Sequence, residues 1–228
     1  MTDGVDAILL DAGGVLLLPD PDEFRTALAL VGVAPDDERC RRAHYVGMRE
    51  VDRRGAADWI EVDRVVAREL GVPEERVDET NEAIGDIYTR LNWKPIAGAA
   101  ETLRAFQEAG FALAVVSNAE GTMEQQLATH EICSVQGGAA AQVAVVIDSA
   151  VVGIEKPDPR IFHLALDAIE VPAERCLYVG DSVHFDVEGA RAAGIVPVHM
   201  DPYDLCDRDG DHDHIRSLGD LVGGLSRS

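Results

Sequence analysis

Lysine and cysteine are both scarce in this sequence, and each scarcity excludes something. Its 228 residues hold 20 Lys and Arg against 42 Asp and Glu, a formal charge of −22. Such a surface repels nucleic acid and anionic membranes, so neither is expected as a partner. It also means that a site for an anionic substrate must find its positive charge locally, in a metal ion, a lysine or a helix N-terminus. Only Lys94 and Lys156 are lysines, and arginine carries the remaining positive charge. The four cysteines, Cys40, Cys133, Cys176 and Cys206, lie far apart and form no C-x-x-C pair. That spacing argues against a zinc site or a disulfide scaffold, and reads as four reduced thiols packed as small apolar residues. No run approaches the roughly 18 apolar residues of a membrane helix. Met1-Thr2-Asp3-Gly4 opens with neither a basic stretch nor a signal-peptide core, so a cytoplasmic chain is expected.

What is present is a globular share of apolar residues, 46%, arranged around one stretch. Ala7 to Leu16 reads A-I-L-L-D-A-G-G-V-L. A short apolar run closed by a carboxylate and two glycines predicts a buried strand of a parallel sheet, with Asp11 at its carboxyl end. That edge is where open α/β sheets bind ligands.

From Pro19 to Asn92 no strand-like alternation occurs. Phe24, Leu28 and Val31 recur at helical spacing, Asp37 to Arg54 is charged and helical, and Trp59, Val62, Val65/Val66 and Leu70 mark another helix stopped by Gly71 and Pro73. A further helix runs to Leu91. The segment is predicted to be an all-helical insertion covering residues 19–94, with Trp93-Lys94-Pro95 as the return. Residues 1–18 and 95–228 then form an α/β core, because strands and helices alternate strictly from there on. The predicted strands are Phe111–Val116, Val143–Ile147, Cys176–Val179 and Ile195–Met200. A helix follows Gly121, another starts at the Asp158-Pro159 cap, and a third spans about Phe185 to Ala193. In the tail, Asp207 to His214 lacks both the glycine position and the twelfth-position Glu of a calcium loop. A solvated polar loop is the expected reading.

Four strand ends converge on one edge: Asp11, Ser117/Asn118, Lys156, and Asp181 with Asp186. Their motifs are D-x-G-G-V-L, V-V-S-N, G-I-E-K-P-D-P-R-I-F and Y-V-G-D-S-x-x-x-D, in that order. The set resembles the haloacid dehalogenase-like hydrolase superfamily, of the subfamily with a helical cap inserted after the first strand. The resemblance implies a Rossmann-like doubly wound parallel sheet with that cap, and a hydrolase acting on a small phosphorylated substrate. It implies Asp11 as a nucleophile that becomes an aspartyl-phosphate. Asp11, the Gly13 carbonyl and Asp181 would hold Mg²⁺, with Asp186 reaching it through water. Ser117 and the amide after it, that of Asn118, would bind the phosphoryl group. Lys156 would neutralise charge on Asp11 and on that group.

One position departs from the pattern. Most phosphatases of the superfamily carry a second Asp two residues after the nucleophile, as general acid and base, and here that residue is Gly13. Four readings follow: a phosphatase that is slow or borrows its acid from His184, Asp20, Asp22 or His44; a 2-haloacid dehalogenase, which needs neither metal nor second Asp; a non-catalytic binding protein; and a phosphoryl-transfer mutase, which Gly13 disfavours. For the substrate, His44, Arg49, Trp59 and His184 are the candidate contacts, with core packing and solvated helix faces as their alternatives.

Overall fold

The computed structural model describes residues 4–89, 92–208 and 210–223. The chain divides into two compact units: Leu18–Lys94, and Met1–Leu17 together with Pro95–Ser228.

The α/β unit is built on β1 (Ala7–Leu10), whose four residues are all fully buried. An apolar run with no polar alternation demands cover on both faces, and a central parallel strand has it. After it, β2 (Leu17–Pro19) and β3 (Trp93–Pro95) pair as a two-stranded sheet where the chain leaves and re-enters this unit. Next come β4 (Ala112–Ser117), the short pair β5 (Cys133–Ser134) and β6 (Ala141–Gln142), and β7 (Val146–Asp148). The series closes with β8 (Cys176–Gly180), β9 (Val196–Met200) and β10 (Asp213–Ile215). The main sheet is ordered β10-β9-β8-β1-β4-β7, and its strand pairs run parallel. Leu10 lies in register with both Val115 and Val179, so the carboxyl ends of β1, β4 and β8 finish level. Asp11, Ser117 and Asp181 therefore come to one edge. One face packs on Ile161, Phe162 and Ala165, and the Phe162 and Tyr178 rings meet edge to face at 4.9 Å.

Three sequence expectations are corrected in this unit. The strand predicted over Val143–Ile147 is β7, three residues later at its start, because Val143 N–H instead bonds the Ser134 carbonyl beside β5. The helix predicted over Phe185–Ala193 opens as a π turn, Val183–Val187, before its regular stretch Glu188–Ala192. The tail is a solvated loop only in part: Asp207, Arg208, Gly210, Asp211 and Asp213 are exposed, but the stretch is also tied to the sheet. Asp213–Ile215 joins the sheet edge as β10, and the His212 side chain is completely buried. Burial beside His199 and His214 pushes the His212 imidazole down to about 4.

The helical unit holds α1 (Pro21–Leu28), α2 (Asp37–Arg54), α3 (Trp59–Leu70) and α4 (Val77–Thr89). The predicted end of the last helix at Leu91 lies outside the described residues. Asp20, Asp36 and Asp58 each accept a main-chain N–H at a helix start, and Gly55 and Gly71 close α2 and α3 in the left-handed conformation. Short polar side chains at the starts and left-handed glycines at the ends are what bound these helices. A Cβ on Gly47 would stand 3.0 Å from Val66, which is why α2 and α3 can approach closely there. Among the described residues no helix is long and apolar enough to cross a membrane.

Candidate active site

Asp11 follows β1 directly. Its main-chain N–H bonds the Val179 carbonyl of β8 at 2.8 Å, and one carboxylate oxygen accepts from Ala12 N–H at 2.6 Å. The other oxygen sits 2.7 Å from the Lys156 ammonium. The chain then coils tightly: Leu16 and Leu17 N–H both bond the Ala12 carbonyl, and Gly14 takes φ +66°. A Cβ on Gly14 would lie 1.9 Å from an Asp181 carboxylate oxygen. Glycine at 14 therefore serves two needs, a left-handed turn and the close approach of Asp181.

Lys156 is held from both ends. Its main chain is clamped by the Asn118 side chain, which accepts from Lys156 N–H at 2.8 Å and donates to the Lys156 carbonyl at 3.1 Å. Its ammonium lies 2.7 Å from Asp11, 2.7 Å from Asp186 and 3.2 Å from the Tyr178 hydroxyl. Burial works against a charged lysine here, but Asp11 and Asp186 outweigh it and hold the ammonium above the ordinary lysine range.

Asp186 is almost fully enclosed. One oxygen takes Lys156 and the Tyr178 hydroxyl (2.9 Å), and the other accepts Ser182 N–H at 3.0 Å. The π turn supplies that reach, since widening the first turn brings the Asp186 carboxylate back over the start of its own helix. A Cβ on Gly180 would sit 2.2 Å from the Asp186 carboxyl carbon, so no other residue fits at the end of β8. Oxygens of Asp11, Asp181 and Asp186 all lie within 4.8 Å of one another, on three buried residues. Desolvation, opposed by Lys156 and reinforced by Asp186 and Asp181, pushes Asp11 up to about 7. Three buried carboxylates facing one buried ammonium leave an excess of negative charge. Hard oxygen donors in that imbalance suit a divalent cation such as Mg²⁺.

Ser117 is buried at the end of β4. The loop behind it is braced by Asp148, whose carboxylate accepts the N–H groups of Gly121, Met123 and Ala150 at 2.9–3.2 Å. Gly13, beside Asp11, bridges to Leu17. His184 belongs to the same unit, its Nδ1 3.4 Å from a Glu188 oxygen.

The other candidate contacts fall in the helical unit. His44 is buried in an aromatic group with Tyr45, Tyr88 and Trp93. Arg49 is exposed, and Trp59 is 53% exposed at the start of α3. Asp20 lies 3.1 Å from Lys94 and Asp22 hydrogen-bonds Arg25 at 2.5 Å.

Tyr178 was given no role by the sequence, although it stands in Y-V-G-D-S. It donates to the Val116 carbonyl or to Asp186 and lies against Lys156. The available signal was its place: a tyrosine in an otherwise apolar buried strand must satisfy its hydroxyl.

A family model described as haloacid dehalogenase-like hydrolase matches residues 5–194. The chain belongs to that family. It is 36% identical over 140 residues to a phosphoserine phosphatase of Thermus thermophilus, a match covering 61% of this chain and 53% of the relative. It is 29% identical to a ribulose-1,5-bisphosphate 5-phosphatase of Halopiger xanaduensis, over 95% of this chain and 97% of that one. The match to haloacid dehalogenase-like hydrolase domain-containing protein 3 of Bos taurus is 37% identical over 111 residues, covering 48% of this chain and 41% of that protein. The aligned part thus spans about half the length of several of these relatives. Among solved structures, a dehalogenase with an intermediate complex superposes with TM-score 0.65 at 20% identity, covering all of both chains. A magnesium-bound hydrolase of Bacillus subtilis gives 0.63 at 18%, over 97% of this chain and 99% of that one. Both show the fold.

Proposed function

We propose that this chain is a Mg²⁺-dependent phosphatase acting on a small phosphomonoester through an aspartyl-phosphate on Asp11. The observation that carries the reading is the buried set of Asp11, Asp181 and Asp186 around the Lys156 ammonium. Asp11, Asp181 and the Gly13 carbonyl would hold the ion, with Asp186 in support, and the bound ion would offset phosphoryl charge. A carboxylate oxygen of Asp11 attacks phosphorus and the ester P–O bond breaks. The substrate oxygen leaves with its electron pair and takes a proton from water. Ser117 and the Asn118 main-chain N–H hold the phosphoryl oxygens, while Lys156 balances the charge that gathers on them. A water then attacks phosphorus, the acyl phosphate bond breaks, and phosphate and the Asp11 carboxylate are regenerated. Candidates for substrate selection are His44, Arg49 and Trp59 in the helical unit and His184 in the α/β unit.

The phosphatase names among the relatives support this reaction class. With Gly13 in place of the usual acid, the reading favours substrates whose leaving group needs no proton. The deciding experiment is phosphate release from p-nitrophenyl phosphate with Mg²⁺ and with EDTA, beside Asp11→Asn. Turnover that needs Mg²⁺ and vanishes in the variant is expected. Halide release from 2-chloropropionate in EDTA, with no phosphate release under either condition, would replace this reading with a haloacid dehalogenase.

A further inference from the structure

A second group of potential ligands lies on the other half of the sheet. His199 is on β9, Cys206 in the loop after it, His212 just before β10, and His214 within β10. One ligand atom from each, three imidazole nitrogens and a thiol, lies within 4.8 Å of all the others. The topology explains the meeting. His199 and His214 are register partners on neighbouring parallel strands, and side chains of such partners share a face. His212 sits in the bend just before β10, and its ring nitrogen comes within 2.9 Å of His214 Nε2. The intervening loop is folded back by the buried Asp201, whose two carboxylate oxygens accept the N–H groups of Leu205 and Cys206 at 2.9 Å each. That brace sets the Cys206 thiol 3.7 Å from His212 Nε2.

Hydrogen bonding among the rings does not account for the arrangement. His212 Nε2 stands 2.9 Å from His214 Nε2, 3.2 Å from His199 Nδ1 and 3.7 Å from the Cys206 sulfur. An imidazole nitrogen has one in-plane position, either a proton or a lone pair, and so makes one good hydrogen bond rather than three. His199 Nε2 lies 3.2 Å from the Asp181 carbonyl oxygen, which can only accept. With its proton there, His199 turns the lone pair of Nδ1 toward the cluster. That is the kind of outer contact that fixes a metal-ligating histidine's tautomer. The Asp211 carboxylate stands 3.7 Å from His212 Nδ1, beyond hydrogen-bond distance, and adds only its negative charge beside that ring. Zinc bonds of about 2.0–2.1 Å to nitrogen and 2.3 Å to sulfur put tetrahedral N···N edges near 3.3 Å and N···S edges near 3.6 Å. The three separations from His212 Nε2, 2.9, 3.2 and 3.7 Å, lie around those values, and the remaining pairs lie within 4.8 Å.

We propose that His199, Cys206, His212 and His214 form a closed, four-coordinate Zn²⁺ site, separate from the acidic centre. The donor set favours zinc over Mg²⁺, because imidazole and thiolate are soft ligands for a hard cation. Its place gives it a purpose. The ion ties the β9–β10 loop to the sheet edge, and through His199 it braces the main chain at Asp181, one of the candidate active-site carboxylates.

The test uses the full-length chain without an affinity tag, grown with zinc and dialysed against buffer containing Mg²⁺. Metal analysis is expected to find one zinc per chain, kept by Asp181→Asn and lost by Cys206→Ser. After zinc is stripped, Co²⁺ is expected to give a tetrahedral visible spectrum with a thiolate charge-transfer band, the band being absent in Cys206→Ser. Should that variant fold poorly, the wild-type chain still decides, since adding zinc to the stripped form must raise its Tm. Absence of a cobalt–thiolate band in the wild-type chain, with a Tm indifferent to zinc, would overturn the site. Zinc kept equally by Cys206→Ser and lost by Asp181→Asn would assign the ion to the acidic centre instead.

Discussion

At the scale of single residues the candidate active site turns on two positions. On the proposed reading Gly13 stands where a phosphatase of this family would carry its acid–base carboxylate, and it is not among the glycines with positive φ. An L-residue there meets no left-handed strain, unlike one at Gly14. Gly13→Asp is therefore expected to fold and to raise turnover of alkyl phosphates by about 10²-fold or more, the usual contribution of general acid–base help. The gain for p-nitrophenyl phosphate is expected to be smaller, because nitrophenolate leaves without a proton. Initial rates on both substrates read the difference. Equal gains, or none, would mean that Gly13 is not where the acid is missing. Tyr178 is the second position. Its hydroxyl lies within hydrogen-bond distance of the Val116 carbonyl, Asp186 and Lys156 in a fully buried setting, and burial with the nearby carboxylates holds its pKa far above the ordinary tyrosine value. Tyr178→Phe keeps the edge-to-face contact with Phe162 but strips Asp186 of a donor. An unfolding free energy lower by about 1–3 kcal/mol is expected in denaturant titration. A change below that range would show the hydroxyl to be dispensable.

At the scale of elements, α3 carries an unusual charge. Val62, Val66, Ala67 and Leu70 are buried, and so is Asp63, which faces Gly85 of α4: a Cβ at Gly85 would lie 2.9 Å from the Asp63 carboxylate. Desolvation pushes Asp63 up to about 6 from an ordinary 3.8. The folded chain then holds this proton more tightly than the unfolded chain, so stability falls as pH rises through that window. The penalty is absent below the ordinary value and complete above about 6. Asp63→Asn is expected to raise Tm by several degrees at about pH 8, and hardly at about pH 4, given roughly 2–4 °C per kcal/mol for a domain of this size. An equal shift at both pH values would mean that packing, not ionisation, is what changed. The same scale shows what the sequence could and could not reveal. The ends of β1, β4 and β8 were legible because apolar runs stop at Asp11, Ser117 and Asp181 with turn residues behind them. The helix start at Asp158-Pro159 was legible because Asp158 is a short polar cap, and Asp20, Asp36 and Asp58 do the same at α1, α2 and α3. The meeting of His199, Cys206, His212 and His214 was not legible. It depends on the parallel register of β9 with β10, and the acidic residues interleaved through 207–213 gave that stretch the look of solvated chain. Cys206 lacks a nearby second cysteine, so only the fold supplies its companions.

At the scale of the whole molecule the dominant fact is charge. The chain carries 42 acidic against 20 basic residues, so even if every arginine and lysine were paired, an excess of −22 would remain to repel itself. The arginines do pair widely: Arg53 with Glu50, Arg64 with Asp78 and Arg68 with Glu74, each at 2.8 Å. The exposed pairs, Arg64 with Asp78 and Arg68 with Glu74, contribute at most about 1 kcal/mol each and weaken with salt, whereas Glu50 is buried beside Arg53 and is screened less. The unpaired excess acts the other way, since self-repulsion destabilises the compact state and screening relieves it. The two effects oppose each other on adding salt, and range decides which prevails. A contact pair is already within the screening length of about 10 Å at 0.1 M, whereas repulsion between scattered surface carboxylates acts over longer distances. Shortening that length to about 3 Å at 1 M removes most of the repulsion while leaving close pairs partly intact. Raising KCl from about 0.1 M to 1 M is therefore expected to increase Tm by several degrees, with chloride chosen because sulfate would strengthen apolar burial by itself. A Tm that falls over this range would show that the arginine pairs, and not the excess of carboxylates, set the electrostatic balance of the fold.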